Sequence, residues 1–323
     1  MKAVVVHGAN DLRVDELPDP VPREGEVLVA MEWGGICGSD ISYWRNGASG
    51  TAVLKHPLVL GHEVAGRIAG IGPEVSGLDV GQPVTIHPAT LAGGYFGSAA
   101  FDPHTDGGFS ELKVVRAEQI RALPYTVGTD HGALAEPLAV AMHAVNRAGD
   151  VRGRDVLVNG AGPIGSLVVA AAKYAGAATV IVADVADAPL SIARAMGADV
   201  LVNLAAGGEL PADMELVFEA SGAAAALGAV LHASARGGTV VQVGNLPGTP
   251  VPVKLGDLVT REITWIGSYR FVDEITDAVA AMENGLDVTP LITHRYPIHE
   301  VAEAIAIAAD RDSGSSKVLI QLG

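Results

Sequence analysis

The stretch VLVNGAGPIGSLVVAAA, Val156 to Ala172, runs an apolar strand into a glycine turn and then into an apolar helix. Gly160, Gly162 and Gly165 stand in the pattern G-x-G-x-x-G, with Pro163 and Ile164 between the second and third glycines. In a chain with 40 glycines that pattern alone is weak. A strand before it and a helix after it are the context its mechanism requires. The first glycine permits a tight turn, the second lets a pyrophosphate approach the backbone, and the third allows close helix–strand packing. The helix N-terminus supplies N–H donors to phosphate. The competing reading is that these glycines are ordinary turns.

Working outward, VIVAD ends on Asp184, where a carboxylate can accept from both hydroxyls of an adenosine ribose. The residues that follow, VADAPL, hold no Lys or Arg to receive a 2′-phosphate, so NAD is favoured over NADP. Short apolar strands then alternate with helices: ADVLVNL, MELVFEAS, TVVQVG and ITWIGSY with APLSIARAMG and AAAALGAVLHASA. That alternation indicates a parallel sheet covered on both faces, so the chain is α/β. Before about residue 136 the texture differs, with short strands such as KAVVV, EVLVAMEW and EVAGRIAGIG punctuated by Pro and Gly. The tail beyond Phe271 reads helix, strand, helix, strand.

The 323 residues suffice for two domains. Against 21 Lys+Arg stand 37 Asp+Glu, a net charge of −16 with no basic block, which argues against nucleic acid and anionic membrane as partners. Cys37 is the only cysteine, so no internal disulfide and no Cys-x-x-Cys site exists. Apolar runs are too short to span a bilayer, no secretory leader is visible, and the cytoplasm is the expected compartment.

Cys37 lies in WGGICGSDISYW, among glycines. A lone cysteine is commonly a small buried apolar residue. The alternative is a metal ligand, because HPLVLGHEVAG supplies His62 and Glu63 downstream. Sulfur, imidazole and carboxylate are the ligand types zinc uses, and a catalytic zinc keeps one position open. Spacing alone leaves both readings standing.

Taken together, GGICGSDISYW, GHEVAGRIAGIGPEVSGLDVGQPV, GGFSELKVV and ALAEPLAVAMHAV resemble the medium-chain zinc-dependent alcohol and polyol dehydrogenases. GSYRF at 267–271 places the likeness nearest the sorbitol and L-idonate 5-dehydrogenase branch. The resemblance implies a β-rich GroES-like catalytic domain of residues 1–140 and 271–323, with a doubly wound Rossmann domain of 141–270 inserted, and an active site in the cleft. It implies one catalytic zinc held by Cys37 and His62. Glu63 and Glu136 would be carboxylates that ligate directly, through water or by exchange. Ser39 would hydrogen-bond the substrate hydroxyl and begin the proton path, while Tyr43 and Arg270 would line the substrate pocket. A homodimer or homotetramer is expected, with the apolar strand ITWIGSY at a sheet edge.

Two features depart from that pattern. Where the family often has a relay histidine, five positions after the cysteine, this chain has Ser42. Bulk water, a ribose hydroxyl or His56 would then have to carry the proton out. The region HPATLAGGYFGSAAFDPHTDGG lacks the four cysteines of a structural zinc lobe, and His87 and His104 with Asp102 or Asp106 match no strong metal pattern. Three other functions compete with a zinc polyol dehydrogenase: a diol or small-alcohol dehydrogenase, a zinc-free quinone or enoyl reductase, and a non-catalytic NAD-binding sensor. The zinc-free enzyme has no need of Cys37, His62, Glu63 and Glu136 together.

Overall fold

The computed structural model describes all 323 residues and divides into two compact units, Met1–Glu136 with Ile292–Gly323, and Pro137–Leu291. The boundaries differ from the sequence expectation at the tail. Residues 271–291 belong with the nucleotide unit because the helix Glu274–Glu283 is tied there. His143 Nδ1 and Glu274 Oε1 lie 2.7 Å apart, and Asn146 Nδ2 donates to the same oxygen at 3.3 Å. Burial of Ile275, Ala278 and Met282 adds the apolar half of that anchor.

In the nucleotide unit six parallel strands form one sheet. From Asp155–Asn159 the chain builds outward through Thr179–Asp184 to Val200–Asn203, then returns to the other side through Met214–Glu219, Ser234–Gln242 and Thr264–Gly267. The order therefore reverses between Asp155–Asn159 and Met214–Glu219, where an open α/β sheet forms its ligand crevice. Val156, Leu157, Val158, Val217 and Phe218 are fully buried, as strands covered on both faces require. The helix Pro163–Tyr174 begins with Pro at a favoured first position and is buried from Gly165 to Ala172.

The other unit is built on a largely antiparallel sheet, with one parallel pair, in which Glu26–Gly35 is central. It pairs with Glu63–Ile71, Leu112–Arg116 and the C-terminal strand Lys317–Gln321. The register places Gly35 opposite both Glu63 and Leu319. A side chain at Gly35 would displace the Glu63 carboxylate, because its Cβ would stand 2.3 Å from Glu63 Oε2. Gly38–Asn46, to which the sequence pattern assigns no element, forms a helix. Asp40 accepts from the Cys37 N–H at 2.9 Å, and Gly47 closes the other end in the left-handed region (φ 64°). No helix in the chain is long and apolar enough to cross a membrane.

Candidate active site

The central register assembles the polar cluster of the first unit. Cys37 caps the helix Gly38–Asn46, His62 immediately precedes the strand Glu63–Ile71 that Glu63 opens, and Glu136 lies in the first turn of the helix Ala135–Ala148. One potential ligand atom each from Cys37, His62 and Glu63 lies within 4.8 Å of the others, two of the residues buried and the cysteine partly so. Glu136 is also buried but stands outside that trio. Its Oε1 accepts from the Tyr95 hydroxyl at 2.5 Å, and the Tyr95 ring centroid lies 5.7 Å from that of His62.

Three residues that sequence reasoning missed hold this cluster in shape. Asp40, with no exposed surface, accepts from the Cys37 N–H through one oxygen and from the Gly61 N–H at 3.2 Å through the other. It thereby ties the cysteine turn to the histidine loop. Tyr95 restrains Glu136. Lys317, only 3% exposed, donates to both carboxylate oxygens of Glu63 at 2.7 Å and to the Ile36 carbonyl at 3.1 Å. The faint signal for Lys317 is its place at the head of the buried run KVLIQ. Asp40 stands three residues after the cap, a capping-box spacing, whereas nothing marks Tyr95.

Acids outnumber bases in this buried volume, and the titration directions follow. Burial lowers the basicity of His62, but Cys37, Glu136 and Asp40 outweigh it and hold the imidazole well above its ordinary value. Burial likewise disfavours the Lys317 ammonium, and Glu63, Cys37 and Glu136 overcome that. The Glu136 and Asp40 carboxyls are pushed up by burial, against the pull of His62. A pocket of S, N and O donors with surplus negative charge suits a zinc ion, and the residues present fit it.

The remaining sequence expectations fall in different places. Ser39 is half-buried in the first turn of its helix. Tyr43 is 2% exposed within the core, its hydroxyl accepting from the Ala99 N–H at 2.9 Å. The Ser42 hydroxyl is turned back on the Gly38 carbonyl at 2.9 Å. His56 pairs with Asp102 at 3.2 Å and its ring lies tilted against that of His104, centroids 4.3 Å apart, whereas His87 Nδ1 accepts from the Ala89 N–H. His87 and His104 thus do not converge on one ligand set.

In the nucleotide unit Gly160 adopts φ 99°, and a Cβ on Gly165 would stand 1.8 Å from the Gly160 carbonyl oxygen. A Cβ on Gly162 would meet no protein atom within 4 Å, so the loop is open where a phosphate would approach. Pro163 and Ile164 begin the helix behind it. Asp184 is fixed over this loop, accepting from the Ala161 N–H at 2.7 Å and from the Val185 and Ala186 N–H groups at 2.7 and 3.1 Å. These features fit a dinucleotide. Arg270 occupies the left-handed region (φ 54°), its guanidinium 5.1 Å from the Tyr269 ring centroid.

Residues 23–125 match the alcohol dehydrogenase GroES-like domain, and residues 163–284 match the zinc-binding dehydrogenase family. The L-idonate 5-dehydrogenase (NAD(P)(+)) of Escherichia coli K12 is 36% identical over 99% of this chain and 98% of its own. The crystal structure of that enzyme superposes with a TM-score of 0.92. Bovine (Bos taurus) sorbitol dehydrogenase is 36% identical over 94% of this chain and 91% of its own. The structure of 2R,3R-butanediol dehydrogenase from Bacillus subtilis gives a TM-score of 0.87 at 26% identity, covering 100% of this chain and 99% of the relative.

The Lys317–Glu63 contact makes a direct prediction. Removing one member of a buried ion pair leaves an uncompensated charge and costs roughly 3–5 kcal/mol. Urea unfolding of metal-free Lys317→Met should show a loss of that size, and Lys317→Met with Glu63→Gln should recover most of it. A single variant as stable as the parent would show that Glu63 does not depend on the lysine.

Proposed function

The chain belongs to the zinc-binding dehydrogenase family, and we propose that it oxidises a secondary alcohol of a polyol or sugar acid, such as L-idonate, to the ketone. The acceptor is NAD, and the balance is alcohol plus NAD⁺ giving ketone, NADH and one proton. The observation that carries this reading is the convergence of Cys37, His62 and Glu63 within 4.8 Å. Those three residues would hold zinc directly, with Glu136, outside the trio, acting through water or by exchange. When bound, zinc supplies Lewis acidity that lowers the pKa of the alcohol hydroxyl.

The chain's own groups do the rest. Ser39 takes the hydroxyl proton, and with Ser42 turned back on its helix the proton leaves through solvent or a ribose hydroxyl rather than through a side-chain relay. Asp184 holds the adenosine ribose, and the loop of Gly160, Gly162, Pro163, Ile164 and Gly165 receives the pyrophosphate. Arg270 presents a planar fork that can bind two adjacent hydroxyls or a carboxylate, and Tyr43 backs the substrate pocket from the core. Thr264–Gly267 is the edge strand of its sheet, with Trp265 and Ile266 half-buried, which supports a homodimer or a homotetramer built on it. A cytoplasmic location fits a chain with one thiol and a nicotinamide-dependent reaction. The structural likeness to a butanediol dehydrogenase favours a smaller diol as the second reading.

A panel of polyols, aldonates and diols assayed with NAD tests the reaction, and Arg270→Ala separates the two readings. Loss of a bidentate charge-assisted contact should cost roughly 2–4 kcal/mol in kcat/KM for a polyol or aldonate, and far less for 2-butanol. Equal losses for both substrates would make the arginine structural and turn the assignment toward small diols.

Cofactor choice gives a separate prediction. With NADP, Asp184 would lose its ribose hydrogen bonds and face a phosphate of like charge. The preference for NAD should be about a hundredfold in kcat/KM, about 2.7 kcal/mol. Asp184→Ser with a basic residue in place of Val185 should relax it. Equal efficiency with the two cofactors in the parent enzyme would contradict this role for Asp184.

A further inference from the structure

At the crevice of the nucleotide sheet lies a buried carboxylate that the reaction does not use. Glu219 ends the strand Met214–Glu219, beside Asn159 at the end of Asp155–Asn159, and these are the two strands between which the sheet order reverses. It has no exposed surface, and the groups that meet its carboxylate are neutral donors rather than cations. Such a charge is costly to bury unless hydrogen bonds replace water. Glu219 Oε2 accepts from Asn159 Nδ2 at 2.6 Å. Its Oε1 accepts from the Ser221 N–H at 2.8 Å, the Ser221 hydroxyl at 2.5 Å and the Gly222 N–H at 3.1 Å. Its carbonyl accepts from the N–H groups of Val243 and Gly244 at 2.9 and 2.8 Å. One residue thus ties together the ends of three adjacent strands.

The turn it shapes is the floor of the glycine loop. A Cβ on Gly160 would stand 2.6 Å from the Ser221 nitrogen and 2.7 Å from its Cα, so the loop rests directly on residues 220–222. Gly222 is left-handed (φ 64°), and a Cβ on Gly244 would meet its nitrogen at 2.3 Å, so the turn has no freedom on its far side. On the near side, Gly165 is in backbone contact with Gly160. The 220–222 turn, Gly160 and Gly165 at the start of the helix are thus in direct backbone contact.

We infer that Glu219 is a positioning residue of the cofactor cradle: its carboxylate fixes the turn at 220–222 on which Gly160 rests, so the phosphate-binding loop is shaped before the dinucleotide arrives. A preorganised loop contributes to affinity by avoiding the cost of ordering on binding. The inference rests on the reading of this unit as the NAD site. Glu219 touches only protein groups, so its loss should act on cofactor binding and leave the chemical step nearly intact.

The test measures NADH binding to the full-length, zinc-loaded protein by nicotinamide fluorescence, together with the KM for NAD, kcat and melting temperature. Glu219→Ala strands four donors and should raise the NADH Kd and the KM for NAD by about tenfold or more, with kcat at saturation within about threefold of the parent. Glu219→Gln should restore Kd to within about threefold, because an amide oxygen still serves the turn and Asn159 can rotate its amide to pair with the new N–H₂. A folded Glu219→Ala protein with a lowered melting temperature and an unchanged NADH Kd would overturn the inference and leave Glu219 a stability element only. Should Glu219→Ala fail to fold, Ser221→Ala decides: it removes one donor and should weaken NADH by about threefold, and parental affinity would overturn the inference. Absence of NADH binding by the parent protein would instead overturn the cofactor reading, and this inference with it.

Discussion

Gly35 pairs on one side with Glu63 and on the other with Leu319, and the polar cluster of the first unit depends on that double register. It leaves no room for a side chain between the Glu63 carboxylate and the central strand. It also brings Lys317, two residues before Leu319, under the same carboxylate with both oxygens at 2.7 Å. A slip of one residue would send Glu63 and Lys317 to the opposite face, because side chains alternate along a strand. Cys37 follows directly from the end of this strand, so the thiol, the imidazole of His62 and the carboxylate of Glu63 share one origin for their placement.

The two units solve opposite electrostatic problems. The first gathers several buried acids, a sulfur and an imidazole around a single ammonium, leaving an excess of negative charge suited to a divalent cation. The second presents neutral backbone, with N–H groups at a helix N-terminus and glycines where side chains would obstruct an anion. The two carboxylates that flank its glycine loop, Asp184 and Glu219, are both occupied by backbone donors of neighbouring turns. Asp184 remains partly accessible and Glu219 does not, which separates a group able to read the ribose from one that only shapes the loop.

What could be read from the sequence was local. The glycine loop, its flanking strand and helix, and Asp184 lie within a few tens of residues, and each is legible from spacing and hydrophobic texture. Cys37, His62 and Glu63 were legible as residue types, and their family resemblance joined them. The partners that position them were not, because Lys317 meets Glu63 across 254 residues and Tyr95 meets Glu136 across 41. Periodicity carries no information about such pairings. The helix Gly38–Asn46 was hidden by its length of 9 residues, its glycine start and its weakly apolar composition. The place of the helix Glu274–Glu283 depends on distant contacts, His143 and Asn146 with Glu274 among them.

The central claim is that one buried set of sulfur, nitrogen and oxygen ligands holds a single catalytic zinc. Metal analysis of the purified protein and of Cys37→Ser, paired with alcohol-dependent NADH absorbance before and after chelation, tests it most directly. The expected result is one zinc per chain, its near-complete loss in Cys37→Ser, and loss of turnover on chelation with the fold largely retained. Two tightly bound zinc ions per chain, or full activity after the metal is removed, would contradict it.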